Sequence, residues 1–416
     1  MTLAITRNRT NCRLCESPDL ELALPMRASP IGDAYVTKEE LSIEQLSYPL
    51  SLHLCKECSH LQLLDVIDPQ VLFGNYIYST STSPGLVAHF KRYADEVVNL
   101  VNCPKDSLVV EIGSNDGSLL NAFKDHGMRV LGIDPAKEIA LKATKRGLET
   151  IPTFFTSDIA KSVKAQYGSA EIVAANNVFA HVDNMIDLIE GVRHLLSPEG
   201  IFVFEVSYLV DMIQKNVFDT IYHEHVCHHR IAPLESFLNK HGMCLFNVQR
   251  IDTKGGSIRG FAKLTTSNRK VEPIVETLIE LEKKMKLDRV DTFKNFVTNL
   301  DKIQNDLTEV LNDLREKGKT IVGYGASTPV TTTVYQFELG PYLDYMIDDN
   351  PIKQGRFSPG HHFPVIPSEV IYEKNPDCII ILAWQYADLI IKKHQKFLDQ
   401  GGIFVIPLPE VKVVSQ

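Results

Sequence analysis

The sequence has no run of 18 or more apolar residues, so no membrane-spanning helix is expected. Its opening stretch, Met1-Thr2-Leu3-Ala4-Ile5-Thr6-Arg7, lacks the apolar centre of a secretory signal. Both absences point to a cytoplasmic protein. Excess positive charge is missing too: 43 basic residues face 52 acidic ones, a formal net charge of -9. A duplex-binding surface needs basic side chains to meet phosphates, so no nucleic-acid partner is expected. A local basic pocket for a small phosphorylated ligand remains compatible with this balance. No obligate protein partner is evident either. What is present is ordinary for globular chains, at 44% hydrophobic and 23% charged, and 416 residues suffice for two or three cores.

Cysteine is sparse, yet four of the eight fall into two close pairs, Cys12-Arg13-Leu14-Cys15 and Cys55-Lys56-Glu57-Cys58. A cytosolic chain does not use such pairs as a disulfide frame. Two-residue spacing turns both sulfurs of a knuckle toward one ion, and two knuckles fill a tetrahedral zinc shell. Four thiolates leave no open position for water, so the expected role of Cys12, Cys15, Cys55 and Cys58 is structural. Residues 10–70 form this module, too small for a large core of their own.

From about 84 to 245 short apolar runs alternate with helical patterns. Segment 86–101 carries apolar residues at helical spacing. Strands are expected at 107–112, 129–134, 149–155, 170–175 and 201–206, with helices at 118–125, 139–146 and 185–195. Such alternation predicts an α/β Rossmann-like unit whose parallel sheet is covered on both faces. The remainder, 246–416, opens with a hairpin (244–251 and 257–265) through Gly255-Gly256. It continues as a helical connector, 272–317, and a second, smaller Rossmann-like unit beginning at Lys319.

The first strand of the central unit ends in Glu111-Ile112-Gly113-Ser114-Asn115-Asp116-Gly117. Open α/β sheets bind ligands at this end. A dinucleotide turn, Gly-x-Gly-x-x-Gly, is absent there, and carboxylates beside a pyrophosphate would repel it. The same carboxylates suit S-adenosylmethionine, whose sulfonium and α-amino group are cationic. Glu111, Gly113, Asn115 and Gly117 are therefore expected at the cofactor, with Asp134 accepting the ribose hydroxyls. Asn176 and Asn177 follow the fourth strand and could line the pocket. Phe154 and Phe155 could pack on the adenine, although core packing explains those two rings equally well.

Tyr222-His223-Glu224-His225 is the densest chemistry in the chain. A histidine takes a proton near neutral pH, and a neighbour can hold its tautomer. The run nearly spells a His-Glu-x-x-His zinc site, but its fifth position is Cys227. Spacing does not choose between His223 and His225 as a base.

These motifs, with Gly255-Gly-Ser-Ile-Arg259 and Gly323-Tyr-Gly-Ala-Ser327, occur in an order that resembles the sugar C-methyltransferases acting on nucleotide-linked 4-keto-deoxysugars. The resemblance covers about 10–410. It implies a zinc module, a cofactor domain and a C-terminal domain that helps hold the sugar nucleotide. It further implies His225 as general base, Tyr222 and Glu224 beside it, and Tyr76 and Tyr78 in a segment closing over the site. The implied reaction is methylation of C3 through an enolate. Two other readings stay open here: a small-molecule O- or N-methyltransferase, and a non-catalytic zinc-containing binding protein.

Overall fold

The computed structural model describes residues 5–74 and 79–416. Its central strand, Leu108–Ile112 (β1), is buried at every position. Val109 packs on one face with Tyr93, Val97 and Phe123, from the helices Pro84–Val101 and Ser118–Asp125. Leu108, Val110 and Ile112 pack on the other with Val163, Ile189 and Val192. A strand clothed on both sides has no polar face, which is why it reads as an apolar run interrupted only by Glu111 near its carboxyl end.

Around β1 lie Arg129–Ile133 (β2), Thr150–Ile151 (β3), Ala170–Asn176 (β4), Leu196–Ser207 (β5), Met243–Ile251 (β6) and Ser257–Leu264 (β7). Their order is β6-β7-β5-β4-β1-β2-β3. β1 to β5 pair in parallel, and β7 runs antiparallel to both β5 and β6. The fold is the expected α/β, Rossmann-like one. Only two residues of the strand expected at 149–155 pair; Pro152 follows them and offers no N–H to a ladder.

The hairpin pairs with the central sheet. A boundary at 245/246 would cut β6 in two, and both hairpin strands belong to the central sheet. β7 covers what would otherwise be the open edge of β5, from Ile201 opposite Lys263 to Ser207 opposite Ser257. A buried ion pair reinforces the join, with Arg259 Nη2 donating to Glu205 at 3.1 Å. His89 Nε2 lies 2.8 Å from the other Glu205 oxygen, and the Arg259 guanidinium stacks 4.1 Å above the Tyr93 ring. Burial alone would raise the Glu205 pKa. The bonds from His89 and the charge of Arg259 outweigh it and hold the carboxyl below its ordinary range.

In the N-terminal module Leu20–Leu24, Leu52–Cys55 and Leu61–Leu63 form an antiparallel sheet. Its fourth strand comes from outside: Cys227 pairs with Gln62, and His228 with Leu61. Residues just beyond the Tyr222–His225 run are thus hydrogen-bonded into the zinc module.

The connector is two helices, Ile274–Lys284 and Val290–Glu316, rather than one region. The longer helix buries Phe293, Phe296, Leu300, Ile303, Leu307, Leu311 and Leu314, three or four residues apart. This row shares one core with Leu24, Leu52 and Leu63 of the module and Ile321 and Val330 of the C-terminal unit. Each such side chain contributes roughly 1.5–3 kcal/mol on burial, so the helix holds both units firmly. The C-terminal unit contains Ile321–Tyr324 (β8), Met346–Ile347 (β9), Val365–Ile366 (β10), Cys378–Ile381 (β11), Ile403–Ile406 (β12) and Lys412–Val414 (β13). Their order is β10-β9-β8-β11-β12-β13, parallel except for β13. No helix among the described residues is long and apolar enough to cross a membrane.

Candidate active site

Each Rossmann-like sheet reverses its strand order once, between β1 and β4 and between β8 and β11. Crevices open at such points, beyond the strands' carboxyl ends. Here the two crevices share one cavity of about 760 Å³. Its walls include Glu111 to Asn115 and Asn176 to Val178 from the central sheet, and Ala326 to Val330 and Leu382 to Tyr386 from the C-terminal one.

At the central end Glu111 is buried, and its Oε2 has no hydrogen-bond partner among the described residues. Burial, then the charges of Asp134 and Asp116, push its pKa well above the ordinary value. Asp134 accepts the Asn115 N–H and the Ala136 N–H, each at 2.8 Å, on separate oxygens. Each oxygen keeps a lone pair for a hydroxyl. Gly113 sits at φ 69°, and a side chain there would meet Val178 at 2.2 Å. Phe154, Phe155, Asn176 and Asn177 are all on the wall, and both side-chain polar atoms of Asn176 lack a hydrogen-bond partner among the described residues. An adenosyl group with a cationic sulfonium fits this set: a buried carboxyl with one oxygen unpartnered among the described residues, an acceptor pair and two rings.

Two residues of the glycine turn do other work. Gly117 is not on the wall; it precedes the helix Ser118–Asp125 at φ 78° and packs against Leu148. Asp116 accepts from the Ser79 hydroxyl at 2.5 Å and from the Ser81 N–H at 2.8 Å. That ties down the chain just after Tyr76 and Tyr78, two expected site residues that lie outside the described ones.

The Tyr222–His225 run separates its two histidines. His225 Nδ1–H donates to the Thr220 carbonyl at 2.7 Å, which leaves Nε2 as the ring's lone pair. Nε2 accepts from the Tyr222 hydroxyl at 2.8 Å, and both side chains face the cavity. Burial, with His181, His228 and Lys254 adding to it, holds the His225 pKa well below its ordinary value, so the ring is neutral. His223 is off the wall; its Nε2–H donates to the Tyr48 carbonyl of the zinc module at 3.3 Å. His229 is buried in the core, stacked 5.0 Å from Phe179. Glu224 reaches the cavity but does not orient His225, a task that falls to the Thr220 carbonyl. Burial pushes the Glu224 carboxyl up to about 7, with Asp33 adding and Lys353 opposing.

Sequence reasoning missed several wall residues. His181 lies 5.0 Å from the His225 ring and stacks on Phe73. Asp219 accepts the indole N–H of Trp384 at 2.7 Å, joining the segment before His225 to the C-terminal unit. Thr332 adds a second tie, donating to the Ile221 carbonyl at 2.9 Å. Their signal is tertiary: no spacing in the chain pairs 219 with 384.

The four cysteine sulfurs lie within 4.8 Å of one another, with Cys12–Cys58 and Cys15–Cys55 each at 3.5 Å. Tetrahedral zinc with bonds of about 2.3 Å requires sulfurs at about 3.8 Å, so the cluster fits the ion. Arg13, buried between the first two ligands, donates to Asp183 of the central unit at 2.9 Å. Elemental analysis of chelator-free protein is expected to give about one zinc per chain, with Cys55→Ser losing metal and thermal stability together. Metal-free wild type would refute the site. Asp134→Ala, checked for folding, is expected to weaken S-adenosylmethionine binding by about 1.5–3 kcal/mol. Unchanged affinity in calorimetry would remove Asp134 from the cofactor site.

Comparison with known proteins agrees with this architecture. A zinc binding domain family matches residues 12–73, a methyltransferase domain family 87–245, and a C-methyltransferase C-terminal domain family 252–409. The C-methyltransferase NovU of Streptomyces niveus is 32% identical over 412 residues, 99% of this chain and 98% of its own. Among solved structures, the CcbJ methyltransferase of Streptomyces caelestis is 15% identical at a TM-score of 0.35, over 44% of this chain and 94% of its own. A S-adenosylmethionine-dependent methyltransferase of Clostridium acetobutylicum is 11% identical at 0.34, over 42% and 90%. With a relative aligned from end to end, this chain belongs to the zinc-containing, S-adenosylmethionine-dependent C-methyltransferases.

Proposed function

We propose that the protein methylates C3 of a nucleotide-linked 4-keto-deoxysugar, with His225 as the general base. The observation that carries this is the neutral His225 ring on the cavity wall, its Nδ1 proton fixed on Thr220 and its Nε2 lone pair held by the Tyr222 hydroxyl, which turns to the substrate as Nε2 takes the proton. Carbon nucleophiles need such a base, because carbon acidified by a neighbouring ketone is still a weak acid. When bound, S-adenosylmethionine supplies an electrophilic methyl group on sulfur. Glu111, Asp134, Asn176 and the Gly113 turn hold that ligand at the β1/β4 crevice.

At the facing crevice, the turn Ala326–Ser327 leads into the helix Thr328–Gln336, whose first N–H groups suit a phosphate. Lys353 is on the same wall, whereas Arg356 is not. The sugar then lies between the crevices, beside His225. His225 Nε2 takes the C3 proton, and the Thr220 carbonyl steadies the imidazolium through Nδ1–H. Tyr222, a donor 2.8 Å from Nε2, stands beside the oxyanion as it forms. Glu224, its carboxyl pushed up to about 7 by burial, is protonated in about half the molecules at neutral pH and in that form donates a hydrogen bond to the substrate. No membrane or nucleic acid takes part, and the reaction is cytoplasmic.

His225→Ala is expected to keep zinc and cofactor affinity while cutting turnover by about 10²–10⁴. It is also expected to abolish exchange of C3–H with deuterated solvent in the absence of methyl donor. Exchange that persists in His225→Ala but vanishes in His223→Ala would transfer the role. Methyl transfer by the wild type with no exchange would favour an oxygen or nitrogen acceptor.

A further inference from the structure

Among the described residues three Lys or Arg side chains reach the cavity wall: Arg7, Lys254 and Lys353. Two are committed. Arg7 pairs with Asp183, and Lys353 pairs with Asp33 while its ammonium lies 4.2 Å over the Tyr35 ring. Lys254 makes no hydrogen bond or ion pair with any described residue. Glu205 is the carboxylate that acts on it, from a distance, and the Glu205 oxygens are already taken by His89, Thr253 and Arg259. An uncommitted cation on the wall of a ligand cavity is free to meet a charge on the ligand.

The backbone aims this cation. Lys254 sits at the tip of the β6–β7 hairpin, at φ 53° and ψ 36°, a left-handed conformation that side-chain-bearing residues seldom adopt. Gly255 and Gly256 follow at φ 84° and 138°. Added side chains there would press on Val217 at 3.1 Å and on Asp211 at 2.3 Å, so the turn is wedged against the segment leading to the Tyr222–His225 run. Backbone strain held in place by packing gathers at functional sites. The Lys254 charge bears on both His181 and His225, which locates it near the base. The side chain is exposed at the cavity mouth, and the protein packed around it pushes its ammonium down to about 8, leaving it charged at neutral pH.

We propose that Lys254 is a catalytic residue whose ammonium contacts the substrate oxyanion, which rests on the C3 reading above. As His225 takes the proton, the C3–H electron pair moves into the adjacent carbonyl, and oxygen becomes negative. The pair returns when C3 bonds to the methyl group and the carbon–sulfur bond breaks. A neutral imidazole is a weak base for a carbon acid. Tyr222, the neutral donor nearby, is turned to His225 Nε2. Full charge on oxygen is met best by a cation fixed beforehand, since no reorganisation is then needed during reaction.

The test uses full-length, zinc-loaded protein carrying Lys254→Met or Lys254→Arg. C3–H exchange is followed in deuterated solvent, and S-adenosylmethionine and nucleoside diphosphate affinities by calorimetry. Lys254→Met is expected to slow exchange and turnover by about 10²–10³, with both affinities within about twofold of wild type. Lys254→Arg, which keeps the cation, is expected to recover at least about tenfold of the loss. Unchanged exchange in Lys254→Met overturns the proposal. So does a loss confined to affinity: for S-adenosylmethionine it would place Lys254 on the donor's carboxylate, for the diphosphate on phosphate. Absent exchange in the wild type would instead refute the C3 reading, and this proposal with it.

Discussion

One hydrogen bond governs what this site can do. The Thr220 carbonyl fixes the His225 proton on Nδ1, and with it the lone pair on Nε2. A free imidazole would interconvert its two tautomers and, near pH 6.5, spend half its time charged. Burial removes the charge and Thr220 removes the ambiguity. What remains is a base pointed at the cavity. The fold must then hold a segment of irregular backbone, from Asp219 to His225, to a fraction of an ångström.

Three parts of the chain share that burden. The zinc module accepts Cys227 and His228 as a strand of its own sheet, so the end of the segment is set by module hydrogen bonds. Trp384 and Thr332 of the C-terminal unit hold Asp219 and Ile221 near its start. Leu209 N–H, on the helix leading in, donates to the His229 carbonyl and closes the loop. Zinc is thus far from the chemistry but not irrelevant to it, since it stabilises the sheet on which the base segment is strung. Two ligand crevices, one from each Rossmann-like sheet, open on either side of this segment. Such an arrangement suits joining two bound molecules at carbon.

Much of this was legible in the sequence because local rules govern it. Paired cysteines at two-residue spacing, apolar runs of strand length, and an acidic residue at the ends of β1 and β2 each follow from short-range geometry. The hairpin's partner is β5, tens of residues away, and only sheet pairing reveals the Glu205–Arg259 tie. The sequence offers only that a neighbour in the Tyr222–His225 run can hold the base's tautomer. The chain turns so that a backbone carbonyl, invisible to residue identity, does it instead. Gly117 resembles a ligand-contacting glycine and is a packing one, since Leu148 closes on it. Lys254 left no signal at all: a lysine in a glycine turn reads as surface until the cations around the cavity are paired off.

The central claim is that the new bond is made at carbon, beside His225. It is tested most directly by supplying the methyl donor labelled with carbon-13 and a 4-keto sugar nucleotide, then recording the product's carbon spectrum. The account predicts a labelled methyl in the aliphatic region, with the C3 signal of the sugar split by its new carbon neighbour. A labelled methyl in the methoxy region, with C3 unsplit, would contradict it.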